Sequence, residues 1–179
     1  MANICEYKVI VKGKKNACYA FYGSMSAFDK WVVSEEGTDD NFILKFEGNC
    51  KWYVDCYCNP YSGNKPVILP EDSEEAYNLA EEKFWYHTVQ ERSEMFSVEV
   101  LCNSADVDDY LGDTFEHYIS GKKIYDNCPK ELNIIDIAEG EAMCCNCYIA
   151  LPLEELTEYK GELYCPDCIE FIEKREEEN

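Results

Sequence analysis

The first apolar series along the chain alternates. Cys5, Tyr7, Val9 and Val11 fall on one side and Glu6, Lys8 and Lys12 on the other, the period of two expected of a strand with one face in a core. Lys14-Lys15-Asn16 then reads as a turn. The spacing of Phe28, Trp31 and Val32 predicts a helix capped near Ser24 or Ser26 and ending before Glu35-Glu36-Gly37. After a polar loop from Thr38 to Asn41, the runs Phe42 to Glu47 and Cys50 to Cys58 predict two strands joined at Gly48-Asn49, a dipeptide suited to a tight hairpin. On the second run Cys50, Trp52, Val54, Cys56 and Cys58 share a face. Those three cysteines raise the question of a metal site. Residues at i and i+2 on a strand lack the loop geometry of a zinc knuckle, however, and free cysteine packs as a small hydrophobe, so they are assigned to the core.

Three prolines and a glycine between Asn59 and Pro70 predict a long irregular connection. Asp72 and Glu75 have capping-box spacing, and a helix is expected from there to about Arg92, with Ala76, Leu79, Ala80, Lys83 or Phe84, and His87 along its inner side. His87 reads as a boundary residue rather than a catalytic base. Met95 to Cys102 predicts a strand with Phe96, Val98, Val100 and Cys102 inward. The acidic loop Asp106 to Asp109 lacks the spaced oxygen ligands, the glycine and the distal glutamate of a calcium loop. Thr114 to Ile119 and Lys122 to Asp126 predict a hairpin over Ser120-Gly121. Residues 128–141 then form a linker whose apolar patch, Leu132 to Ile137, adds a strand or docks on the body.

The expected order is therefore β-α-β-β-α-β with an extra hairpin, an α+β body over residues 1–127 with the split βαβ pattern of ferredoxin-like folds. Both helices on one face would leave the other face of the sheet wet or open to a partner. The run Phe46-Glu47-Gly48-Asn49-Cys50-Lys51-Trp52-Tyr53-Val54, with Phe115-Glu116-His117-Tyr118-Ile119-Ser120-Gly121 downstream, resembles the Api92-like, or YubB-like, proteins of phage, plasmid and gut-bacterial genomes. That resemblance implies a small ferredoxin-like body from a mobile element. It carries no catalytic motif to these residues.

The cysteines change the picture at the C-terminal end. Cys144/Cys147 and Cys165/Cys168 form two CxxC pairs with 17 residues between them, and two such pairs close a tetrahedral thiolate shell that suits Zn²⁺. Between them Tyr159 to Tyr164 predicts a hairpin hinged at Lys160-Gly161. From Cys165 a helix is expected, with Pro166 in its first turn, Asp167 near its positive end and Lys174 and Arg175 near its negative end. Residues 142–179 thus resemble a treble-clef or LIM-like finger with one structural zinc; Cys145 could replace Cys144 as a ligand, but a CxC bite is less usual than CxxC, so Cys145 is treated as a spare thiol. A closed four-thiolate shell has no position for water or substrate, so the metal would support a fold too small to bury a core of its own. A redox dithiol at Cys165/Cys168 is the rival, but it needs no second CxxC pair. The sequence shows neither a signal peptide nor an apolar run long enough to span a bilayer. A cytoplasmic location, in a bacterial cell or an infected host cell, is expected, where disulfides are rare.

Charge narrows the function. The 37 acidic and 16 basic side chains give a formal charge of −21. Residues 1–59 hold 7 basic and 8 acidic groups, a net of −1, which leaves −20 for the rest of the chain. With 14 Tyr and 8 Phe the chain has the apolar material of a folded protein despite that charge. Direct nucleic-acid or membrane binding is disfavoured; a basic or nucleic-acid-binding protein is the expected partner. Asp106, Asp108, Asp109 and Asp113 form the densest candidate contact surface, while Glu176, Glu177 and Glu178 read as a solvated tail. GxSxG, phosphate-loop and HExxH motifs are absent, so the expectation is a non-catalytic interaction protein, an anti-CRISPR-like inhibitor acting by phosphate mimicry. A thiol redox protein or a structural subunit of a larger complex are the alternatives.

Overall fold

The computed structural model describes residues 4–25, 27–51, 54, 67–84, 87–106, 111–134, 140–144 and 150–177. β1 (Ile4–Gly13) buries Cys5, Tyr7, Val9 and Val11 on one face, as their alternation requires. The next two elements correct the sequence expectation. α1 (Lys15–Ser24) begins where a turn was expected, and β2 (Asp29–Thr38) is a strand where a helix was expected. Lys14, at the N-cap of α1, makes no side-chain cap, so the helix start carries no sequence signal. The helix is held instead by burial of Ala17, Cys18, Ala20 and Phe21. Conversely, the apolar stripe of the expected helix does not exist, because Phe28 and Trp31 face solvent.

β3 (Asn41–Lys51) is one continuous strand and not a hairpin at Gly48-Asn49. Gly48 lies inside it, opposite Tyr7 of β1 and Lys30 of β2. A Cβ there would come 2.5 Å from the Tyr7 hydroxyl and 2.6 Å from its Cζ, so the glycine makes room for a buried ring rather than a turn. The expected long helix is two, α2 (Ser73–Lys83) and α3 (Val89–Phe96). Asp72 accepts from the backbone N–H groups of Glu74 and Glu75, while the reciprocal capping box is made by Thr88 and Glu91. β4 (Glu99–Asp106), β5 (Leu111–Ile119) and β6 (Lys122–Ile124) follow. The last two are joined by Ser120 and Gly121, both at positive φ, the two-residue turn whose twist matches the strands.

The six strands form one antiparallel sheet in the order β2-β3-β1-β4-β5-β6. The inward residues of β1, β3 and β4, with Tyr118 of β5, pack against α1, α2 and α3 in a single core. The opposite face is not left wet along its whole width. Residues 125–134 lie along it as a strap: Leu132 packs on Ile10 and Leu101, and its carbonyl accepts from the buried Asn103 amide at 2.9 Å. Lys8 Nζ donates to the Asn133 carbonyl at 2.8 Å, and Lys45 pairs with Glu131 at 3.1 Å. Part of the expected linker is thus docked by Leu132 in a short 3₁₀ turn; residues 135–139 lie outside the described residues. Beyond it come two small hairpins, β7 (Glu141–Met143) with β8 (Ala150–Pro152) and β9 (Thr157–Tyr159) with β10 (Glu162–Tyr164), and then α4 (Pro166–Glu177).

Candidate metal centre

Cys144 follows β7 directly, Cys165 lies between β10 and α4, and Cys168 sits in the first turn of α4. Their three sulfurs all lie within 4.8 Å of one another. All three are buried, at 0%, 8% and 8% exposure, beneath Leu156, Ala142, Leu151, Leu163 and Tyr164. The local sequence explains the convergence. Lys160 and Gly161 at positive φ reverse the chain between β9 and β10 and return Cys165 toward Cys144. Pro166 then starts α4 at the position where its missing N–H costs nothing. The Cys165 N–H donates to Cys144 Sγ at 3.3 Å, and the Cys165 carbonyl accepts from the N–H groups of Cys168 and Ile169 at 3.1 Å each. Backbone donors and the positive end of α4 thus favour negative charge on sulfur here.

Such a group can hold a metal ion. Thiolates at about 2.3 Å from a tetrahedral ion stand about 3.8 Å apart, so sulfurs within 4.8 Å need only close slightly. Among the described residues these three are the group of Cys, His, Asp or Glu with that geometry. Cys147, expected as the fourth ligand, and Cys145, weighed in place of Cys144, lie outside the described residues.

The remaining expected positions are not brought to this centre. Cys50 is buried in the body core opposite Cys5 of β1, as a small hydrophobe should be; Cys56 and Cys58 lie outside the described residues. The backbones of Asp106 and Asp113 lie in β4 and β5, while Asp108 and Asp109 fall outside the described residues. His87 is largely buried beside Glu91, at 3.7 Å, and burial lowers its pKa.

Two polar arrangements carried no sequence signal. On the helix-free face His117 is bracketed by Asp126 at 2.8 Å and Glu99 at 3.4 Å, and Lys12 pairs with Glu99 at 2.7 Å. This network ties β1, β4 and β5 to the start of the strap. On the helix-covered face, half-buried Lys30 reaches from β2 to the end of α1, donating to the carbonyls of Tyr22 (2.9 Å), Gly23 (3.4 Å) and Met25 (3.1 Å). Its ammonium also lies 4.8 Å and 5.3 Å from the Tyr22 and Tyr77 ring centres.

No helix among the described residues is long and apolar enough to cross a membrane. Comparison with protein-family models, curated proteins and solved structures found no match.

Proposed function

We propose that this chain is a non-catalytic, acidic, zinc-binding interaction protein that presents carboxylate surface to a basic, nucleic-acid-binding partner in the cytoplasm. The observation that carries this is the placement of −20 of the −21 charges after residue 59. A surface of that sign repels phosphates and attracts the basic groups that bind them. Asp and Glu side chains then occupy the partner's phosphate subsites and exclude its nucleic acid, the mode of action of an anti-CRISPR-like inhibitor from a phage or mobile element. For the body we propose a ferredoxin-like fold over residues 1–127, supported by the strand order β2-β3-β1-β4 with helices between β1 and β2 and between β3 and β4. For the C-terminal unit, 142–179 beyond the linker 128–141, we propose a Cys₄ finger with Cys147 completing the shell of Cys144, Cys165 and Cys168. An all-sulfur donor set selects Zn²⁺ over hard cations, and four thiolates leave it a structural role.

Affinity purification from the native host with mass spectrometry tests the function. The expected result is a basic nucleic-acid-binding protein whose affinity for this chain falls at least about tenfold from low to physiological salt and which duplex nucleic acid displaces. Recovery of no such protein, with binding indifferent to salt, overturns it.

A further inference from the structure

β2 is one edge of the six-stranded sheet and runs for ten residues, whereas β6 at the other edge has three. Among the described residues β3 is the strand paired with it, so its outer side presents backbone donors and acceptors to an added strand. The chemistry beside the edge selects the strand that fits. Residues 28–40 hold five acidic groups, Asp29, Glu35, Glu36, Asp39 and Asp40, against one basic group, Lys30, a local net charge of −4. Lys30 does not offset them on the outer face, because its ammonium is bound on the helix side to the carbonyls of Tyr22, Gly23 and Met25.

On the helix-free face Trp31 is 48% exposed. Asp29 lies two residues before it, on the same side of β2, and Glu47 of β3 is its direct cross-strand partner. Neither carboxylate makes an ion pair among the described residues. An exposed indole flanked by two such carboxylates suits a cation: the ring face attracts it, and the carboxylates neutralise it and accept its hydrogen bonds. The lysines of this face are already held, Lys8 by the Asn133 carbonyl and Lys45 between Glu36 and Glu131. Val33, 55% exposed at the bulge between Val32 and Ser34, opens onto a groove of about 250 Å³ that reaches Ile10 and Leu132. We infer that β2 takes an extended basic segment of a partner protein as an added strand, with an arginine of that segment over Trp31 and between Asp29 and Glu47, and an apolar side chain beside Val33. Arginine fits better than lysine, because its planar guanidinium stacks on the ring while its N–H groups reach the carboxylates. Backbone pairing supplies affinity and the Trp31 site supplies the preference for a cation. The inference rests on the reading of a basic partner and gives that partner a contact at the sheet edge, separate from the acidic surface after residue 59.

Calorimetric titration of the full chain with a synthetic peptide that alternates arginine and valine, followed by hydrogen exchange of the complex, tests it. Saturable binding is expected, tighter than that of the lysine counterpart, with the outward amides of β2 protected. Trp31→Leu should raise the dissociation constant about fivefold. Asp29→Asn combined with Glu47→Gln should raise it about as much at low salt and less at physiological salt, while circular dichroism of both variants stays unchanged. A counterpart N-methylated at its backbone amides keeps the charge but has no donor to give the edge, and should bind more weakly and leave β2 unprotected. Equal binding of the N-methylated peptide would mean diffuse attraction to a chain of −21 and overturns the inference. So does binding that leaves the β2 amides exposed, or that neither variant weakens. No binding at all overturns it too, whatever partner the affinity purification recovers, so this site and the reading of a basic partner fail separately.

Discussion

At the residue scale, the body is set by a few close fits. Gly48 is closed in by the Tyr7 ring and by the Asp29 carbonyl, which a Cβ would approach to 2.8 Å. Tyr7 is fully buried and cannot swing aside. Gly48→Ala is expected to destabilise the body by about 1–3 kcal/mol in urea melts. Cys18 offers a pH test. Its thiol is buried against the Val11 and Phe42 carbonyls, each 3.8 Å away, and burial pushes its pKa from 9.0 up to about 12. The folded state therefore holds a proton that the unfolded chain releases, so this stabilisation is complete below pH 9.0 and is lost as pH rises to about 12. The stability difference between the parent and Cys18→Ala should shrink across that window. A constant difference would show that Cys18 does not titrate with unfolding. Burial raises Tyr7 in the same sense, so the whole body should weaken in alkali.

At the element scale, capping divides what the apolar pattern joins. The periodic residues from Ala76 to Arg92 fit one long helix, yet α2 ends at Lys83 and α3 begins at Val89. Thr88 Oγ1 accepts from the Glu91 N–H at 3.0 Å, and the Glu91 carboxylate accepts from the Thr88 N–H at 3.0 Å. This reciprocal pair fixes a new helix start. Thr88→Ala should cost about 1 kcal/mol in thermal or urea unfolding, and Thr88→Ser much less. At α1, by contrast, Lys30 from a neighbouring strand caps the helix end, and burial lowers its pKa to about 8 despite the opposing pull of Glu81. That contact depends on the strand assignment of residues 29–38, which local sequence did not indicate. The α4 start and the hairpin before it were legible because proline, glycine and cysteine sit at positions whose backbone demands are strong and local.

At the scale of the whole molecule, the body and the cysteine centre rest on different forces. The body has an extensive apolar core, whereas only Leu156 joins the three thiols among the buried residues of the C-terminal cluster. On the proposed Cys₄ reading, a unit so small needs a metal to stay folded. Elemental analysis should find one zinc per chain. Chelation should abolish hydrogen-exchange protection in residues 140–177 while β1, β3 and β4 keep theirs. Unchanged protection in the C-terminal unit would exclude a metal-dependent fold. Net charge adds a global term. At −21 the compact state repels itself, so moderate salt should raise the thermal midpoint, and solubility should be lowest near the pI of 4.3.

Sequence alone determined what is local or additive: the alternation of β1, the turn at Ser120-Gly121, the two CxxC pairs and the lopsided charge. It placed Phe96, Val98, Val100 and Cys102 inward, and all four are buried, although Phe96 ends a helix and the strand begins at Glu99. Tertiary structure decided whatever depended on a distant neighbour. Gly48 lies within a strand because Tyr7 fills the space above it, and residues 29–38 are a strand because β3 pairs with them along most of their length. The strap covers the helix-free face because Leu132 reaches Ile10 and Leu101. Backbone pairing and burial are satisfied between segments far apart in the chain, and a local window cannot contain both partners of such a contact.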